Sequence, residues 1–296
     1  CISVINGDLS TGGLAACTLL TGRAFQPLQG AAGFWARMQS IKVAEDRVET
    51  LLALPQGLDS VTADNKHRIQ QGKIEAIDLS IQLASSDSKI LSRINFVAEA
   101  GEVIALTGAN GSGKSSLLSV LRGLTRPTEG EVRIDDLPIT EYTSEEIESN
   151  VILLPQYEAI FDGSILDNLT MHRSEFDYLA FEVAEELGFA DVVQQLPDGF
   201  QTSLGPGGVV LPRGMAQRIA IGRALVNMPK ILLFDEANSA VDDASDQAIK
   251  RMIELLRGSC TIVLVTHRPS YMWLADRVHA LTDGELESDG LTVAGM

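Results

Sequence analysis

The stretch Gly108-Ala109-Asn110-Gly111-Ser112-Gly113-Lys114-Ser115, continued by Ser116, sets glycines, a lysine and hydroxyls side by side. Those residue types do anion chemistry. Gly108, Gly111 and Gly113 let the backbone curl until successive N–H groups and a helix N-terminus point at one phosphate. Lys114 adds a point charge, and Ser115 offers a hydroxyl to a divalent cation. A glycine turn without a ligand needs neither the lysine nor the hydroxyl.

The flanking residues supply the context such a loop requires. Val103-Ile104-Ala105-Leu106 leads in as a short apolar strand, and Leu117-Leu118-Ser119-Val120-Leu121 leads out as a helix, expected over 115–124. A second apolar run, Ile231-Leu232-Leu233-Phe234, reads as a strand buried on both faces of a parallel sheet and ends in Asp235-Glu236. A helix expected over 243–256, with Ile249, Met252, Ile253 and Leu256 on one stripe, then feeds strand 261–265 and its polar tip, Thr266-His267. Hydrolysing a nucleotide requires phosphates held, a magnesium ion placed, a water aimed and developing charge neutralised. Asp235 has the position to hold Mg²⁺ directly or through water. Glu236 has the position to orient or deprotonate the attacking water.

Composition narrows the partners. The 296 residues, 45% of them hydrophobic, suffice for one large or two ordinary domains with a real core. Lys and Arg number 23 against 40 Asp and Glu, a net charge of −17, which argues against a nucleic-acid surface because phosphate backbones are held by clustered cations. Nucleotide binding escapes that argument, since the loop makes its own local positive field. Cys1, Cys17 and Cys260 form no close pair, so neither a disulfide framework nor a zinc site is indicated. The chain opens on Cys1 with no charged segment before an apolar one, so it reads as a fragment without a signal peptide.

Along the chain, residues 9–35 are apolar but interrupted by Thr21, Gly22, Arg23 and Pro27, and hydropathy alone leaves a buried soluble helix and a membrane helix equally open. Residues 36–52 carry Met38, Ile41, Val48, Leu51 and Leu52 at helical spacing among charged residues, an amphipathic helix facing water. The polar stretch 55–72 reads as a linker. Strands are expected over 74–83, 92–97 and 131–134, and helices dominate about 143–228, notably 178–187 and 216–226. The result is an α/β core with antiparallel β and helical subdomains.

Over about residues 73–290 the chain resembles the nucleotide-binding domain of an exporter-type ATP-binding cassette (ABC) transporter. Beyond the P-loop, Leu154-Pro155-Gln156 is similar to the family's Q-loop, Ser239-Ala240-Val241-Asp242 to its D-loop, and Thr266-His267 to its switch histidine. The resemblance implies ATP and Mg²⁺ as cofactors, with Ser115, Gln156 and Asp235 around the metal. Lys114, Glu236 and His267 would act on the γ-phosphate, and Asp242 would cross to a partner domain. It also makes residues 1–54, from Gly12-Gly13-Leu14 through Gly22-Arg23-Ala24 and Pro27-Leu28, similar to the last transmembrane helix and cytoplasmic extension of type I secretion exporters. Residues 73–296 then form the ATPase domain, on the cytoplasmic side of the inner membrane, working with its own transmembrane domain and a second ABC subunit.

Three departures from the family stand out. In place of the Leu-Ser-Gly-Gly-Gln signature stands Leu211-Pro212-Arg213-Gly214-Met215. Pro212 has neither hydroxyl nor N–H to give the opposite ATP site, although a guanidinium at Arg213 can replace some of the charge. The adenine-stacking aromatic falls at Leu83, a loss on the order of 1 kcal/mol of stacking. Pro206 stands where exporters usually carry a glutamate, so communication with the membrane domain is expected to differ. The degenerate signature beside an intact Glu236 also fits one half of a heterodimeric exporter. Acidity and the apolar lead weigh against a soluble ABC-type ATPase acting on DNA. A nucleotide-binding regulator without turnover is the remaining alternative, and the cargo is not legible.

Overall fold

The computed structural model describes residues 10–52, 67–82, 89–156, 159–205, 207–236, 243–287 and 291–292. Two compact units divide after Gln56. The first contains helix α1, Thr11–Leu52, 42 residues or about 63 Å at 1.5 Å per residue. Ser10 starts it, its Oγ accepting the Gly13 N–H at 3.1 Å. Pro27 lies inside, so the two segments legible in the sequence are one continuous helix, with a single backbone donor missing. Thr18, Thr21 and Thr50 turn their hydroxyls back onto carbonyls of the preceding turn, at 2.7–2.8 Å.

Leu19, Leu20, Phe25, Phe34 and Trp35 are exposed on α1. Among the described residues, however, no helix is long and apolar enough to cross a membrane. The transmembrane helix expected within residues 1–54 lies partly outside the described residues. Length is ample, but Thr18, Thr21, Arg23, Gln26 and Gln29 break the apolar stretch.

The second unit is built on a mostly parallel sheet flanked by a smaller antiparallel one. In chain order its elements are β1 (Ile74–Gln82), β2 (Lys89–Ala98), β3 (Val103–Thr107), α2 (Lys114–Leu121), β4 (Glu129–Ile134), β5 (Leu137–Pro138), α3 (Ser144–Asn150) and β6 (Val151–Leu154). There follow β7 (Gly163–Ser164), α4 (Ile165–Thr170), α5 (Asp177–Glu186), α6 (Ala190–Gln194), β8 (Ser203–Leu204), α7 (Arg213–Leu225) and β9 (Ile231–Asp235). The last are α8 (Asp243–Leu256), β10 (Thr261–Val265), α9 (Pro269–Met272), β11 (Arg277–Thr282), β12 (Glu285–Leu286) and β13 (Leu291–Thr292). The main sheet runs β12-β11-β3-β10-β9-β6, with β13 also on β11, and β1, β2, β4 and β5 make the antiparallel sheet.

Period-two alternation in the buried strands feeds two cores. Val103, Ala105, Leu232, Phe234, Ile262 and Leu264 face the helical layer of α4, α5, α7 and α8. Their neighbours Ile104, Leu106, Ile231, Leu233, Val263 and Val265 face α2 and the antiparallel sheet. The strand β6 lies inside the span 143–228 read as helical. It pairs in parallel with β9, so the helical subdomain begins only after it. Helix α2 ends three residues earlier than expected, because Gly123 turns at φ +79° and the chain leaves the helical path.

The end of the expected linker is part of this unit. Asp135 accepts four consecutive backbone N–H groups, Gln70 to Lys73, at 2.7–3.0 Å, and Glu146 accepts that of Ile69 at 2.9 Å. In the helical layer, Arg223 of α7 donates to Asn168 O at 2.7 Å, to its Oδ1 at 2.9 Å and to Ala159 O at 2.9 Å, while covering the Phe161 ring. Helix α7 is thus tied to residues 159–168.

His279 on β11 is buried beside the Phe96 ring. Burial, with Arg277 nearby, lowers its pKa from the ordinary 6.5. The unfolded chain therefore takes up the proton first as pH falls below about 6.5, and the fold loses stability there. His279→Gln is expected to flatten the acid-side fall of the melting temperature below pH 6.5 while leaving the value at pH 8 within a few degrees.

Candidate nucleotide-binding site

The P-loop begins where β3 ends. Gly108 sits at φ +143°, and a Cβ there would lie 2.1 Å from the Leu281 carbonyl oxygen, so no other residue fits. Gly113, at φ +103°, is the residue before α2, with a Cβ position 2.6 Å from Leu91. Past it, the N–H groups of Lys114, Ser115 and Ser116 open the helix, where no intrahelical acceptor exists for them. Lys114 is buried, its ammonium donating to the carbonyls of Gly108 at 2.7 Å and Ala109 at 2.8 Å. Ser112 Oγ is buried without a partner among the described residues. An orphan hydroxyl, open helix amides and a lysine meeting only carbonyl oxygens together suit a phosphate chain.

Parallel register brings the acids to this loop. Val265 of β10 lies between Leu106 of β3 and Asp235 of β9, so the P-loop, Asp235-Glu236 and Thr266-His267 all leave the sheet at its carboxyl edge. Ser115 Oγ donates to Asp235 Oδ1 at 3.0 Å across 120 residues of sequence. Burial, together with the neighbouring Glu236, raises the Asp235 pKa against the opposing hydrogen bond from Ser115 and the charge of Lys114. Glu236 is held in the left-handed region, φ +50°, a conformation rarely taken by a side chain of this size. Its Oε2 accepts from Gln156 Nε2 at 3.0 Å, and His267 Nε2 is 3.4 Å from Oε1.

One cleft of about 310 Å³ has Asn110, Gly111, Lys114, Ser115, Ser116, Gln156, Asp235 and Glu236 on its wall, while His267 is not on that wall and reaches the site through Glu236. No group of three or more His, Cys, Asp or Glu among the described residues could hold a metal ion. A divalent cation between Ser115 and Asp235 would have to complete its oxygen shell with phosphate and water, the habit of Mg²⁺.

The structure adds one wall residue that the sequence reading passed over. Ile90, at the start of β2, lines the cleft, whereas Leu83 lies outside the described residues. The signal was slight: an isoleucine in an alternating strand carries nothing beyond strand propensity. Asp242, with Ser239 to Val241, and Pro206 also lie outside the described residues. Leu211 to Met215 are not on the cleft wall and stand instead at the start of α7. Pro212 precedes the helix at φ −56°, ψ 145°, and its carbonyl accepts from Met215 and Ala216. The N–H groups of Arg213 and Gly214 open that helix, Arg213 is exposed, and Met215 is buried.

A parallel sheet with a phosphate loop, a buried aspartate and a glutamate at its carboxyl edge defines a P-loop nucleotide-binding domain. Residues 91–239 match the model of the family described as ABC transporter, and the chain belongs to that family. It is 32% identical over 288 residues to the alpha-hemolysin translocation ATP-binding protein HlyB of Escherichia coli O157:H7, covering 97% of this chain and 40% of that protein. Against the ATP-dependent lipid A-core flippase of Bordetella avium the identity is 31% over 288 residues, covering 96% and 48%. A bacterial Atm1-family ABC exporter solved with ATP bound superposes with a TM-score of 0.79 at 25% identity, over 97% of this chain and 50% of that one. The chain thus spans between two fifths and half the length of these relatives.

Asp235 carries a carboxylate that burial disfavours in the nucleotide-free fold. A raised carboxyl pKa is a cost once pH exceeds it, so removing the charge relieves the fold near neutrality. Asp235→Asn is expected to leave the melting temperature unchanged or higher at pH 7 in thermal scans, while Mg²⁺-dependent ATP hydrolysis disappears.

Proposed function

We propose that this chain is the ATP-hydrolysing part of an ABC exporter, with residues 73–296 on the cytoplasmic side of the inner membrane and α1 as the extension that joins them to a membrane domain. The observation that carries the reading is the convergence at the P-loop of four separate stretches of sequence, Ser115 bonded to Asp235 and both Gln156 and His267 reaching Glu236. The helical lead is supported by relatives that match along 96–97% of this chain, α1 included.

The roles follow from the donor set. The amides of Gly111 to Ser116, with Lys114, hold the phosphates, and Lys114 exchanges its two carbonyl acceptors for phosphate oxygens. Ser115, Asp235 and Gln156 hold Mg²⁺, whose contribution is to neutralise charge developing on the phosphate oxygens. Glu236 orients the attacking water and takes its proton, once Gln156 and His267 release its oxygens. His267 then faces the γ-phosphate. Ile90 gives the base an apolar contact without aromatic stacking.

A second subunit completes the site. The open amides of Arg213 and Gly214 with the Arg213 guanidinium are what α7 can offer across a head-to-tail dimer, in which closure on ATP drives the membrane domain outward and hydrolysis resets it. Export of a peptide or protein, as named for the hemolysin relative, is the favoured cargo class. Pro212, lacking both hydroxyl and N–H, favours a second reading in which this chain is the degenerate-signature half of a heterodimer.

The test is ATP turnover by the full-length protein in lipid. Glu236→Gln is expected to keep ATP binding within about threefold and to lower turnover by about a hundredfold or more, the scale of a lost general base. Unchanged turnover would remove the role given to Glu236. Wild-type protein that binds ATP but turns over only when a second ABC subunit is added would establish the heterodimer.

A further inference from the structure

The side chain of His267 is half-exposed and reaches Glu236, yet a group that must meet a phosphate to within a fraction of an ångström needs a fixed backbone. Both its neighbours are tied down. On one side, the buried Thr266 donates its N–H to the Leu106 carbonyl on β3, the strand that feeds the P-loop, at 3.2 Å. Its hydroxyl accepts the Arg268 N–H at 3.1 Å. On the other side, Arg268 Nη1 donates to Asp246 Oδ1 at 2.6 Å.

Asp246 is buried in the first turn of α8, the helix that starts directly after the Ser239 to Asp242 stretch. Its second oxygen accepts from Lys250 Nζ at 2.6 Å. The Lys250 ammonium lies 5.3 Å and the Arg268 guanidinium 5.9 Å from the centre of the fully buried Tyr271 ring. Burial alone would raise the Asp246 carboxyl, but the Lys250 ammonium bonded to it and the charge of Arg268 outweigh it and hold the group below its usual range. The carboxylate is thus ionised and doubly paired. Breaking one of its pairs leaves a buried charge seeking a partner, so the joint is stiff.

We infer that Asp246 and Arg268 are positioning residues for hydrolysis: their ion pair fixes the backbone of His267 against the start of α8 and so sets its aim at the reacting phosphate. Neither residue touches nucleotide. The pair couples the switch histidine to the helix that follows the stretch resembling the D-loop, so a shift at the dimer interface reaches His267 through this salt bridge. This inference rests on the role proposed for His267. Lys250 supplies the internal control, because it pairs with the same carboxylate from within α8 and reaches the segment after His267 only through the face of the Tyr271 ring, without an ion pair to it.

The experiment measures kcat and KM for ATP, with melting temperature, in the full-length protein in lipid for Asp246→Asn, Arg268→Gln, Lys250→Gln and His267→Ala. A misplacement near 1 Å costs up to about a hundredfold in rate. Arg268→Gln and Asp246→Asn are expected to lower kcat by about tenfold or more with KM within about twofold, whereas Lys250→Gln keeps kcat within about twofold. Equal losses in Arg268→Gln and Lys250→Gln would reduce the cluster to general support of the fold and overturn the inference. Wild-type kcat in Arg268→Gln beside an inactive His267→Ala would overturn the inference alone. Wild-type kcat in His267→Ala would overturn the role of His267 and the inference with it. If Asp246→Asn does not fold, the comparison of Arg268→Gln with Lys250→Gln decides.

Discussion

The hydrogen bond from Ser115 to Asp235 joins the two halves of the site, and everything else in the second unit serves to make it possible. Ser115 belongs to the first turn of α2, so its position follows from the turn of the P-loop at Gly108 and Gly113. Asp235 is the last residue of β9. The two meet because β10 lies between β3 and β9 in parallel register, and a slip by one residue would turn the whole apolar set of a strand to the opposite core. The buried alternation of β3, β9 and β10 therefore sets the catalytic geometry as well as the stability of the domain.

Most polar side chains of the site hold one another, Ser112 Oγ excepted. Lys114 holds loop carbonyls, Ser115 holds Asp235, and Gln156 and His267 hold Glu236. Each of these bonds occupies a group with a proposed place on phosphate, metal or water. Together they keep two adjacent acids paired, and the proposed binding of nucleotide would replace polar contacts with polar contacts. The strained φ of Glu236 belongs to the same arrangement, since a residue in that region persists only where its neighbours determine it.

Much of this was legible in the sequence because the chemistry is local. A strand, a glycine loop, a lysine and a hydroxyl are contiguous, and so are an apolar run and its terminal acids. The apolar quartet Val151 to Leu154 carried the same strand signal, yet the helices around it obscured its membership in the main sheet. The Asp246–Arg268 pair was invisible, because nothing in the spacing of 22 residues links the first turn of one helix to the residue after a strand. Ile90 was missed for the opposite reason, being an ordinary strand residue that gains meaning only from the fold of β2 over the cleft. The apolar lead was legible as helix, though not as one continuous helix through Pro27.

The most direct test of the Ser115–Asp235 seat is calorimetric titration of ATP into the full-length protein, with and without Mg²⁺, in wild type and Ser115→Ala. If Ser115 and Asp235 seat the cation, Mg²⁺ tightens ATP binding to the wild type by about tenfold, roughly 1.4 kcal/mol of coupling, and that gain vanishes in Ser115→Ala while metal-free affinity stays within about twofold. An undiminished Mg²⁺ effect in Ser115→Ala would contradict it, because the cation would then have its seat elsewhere.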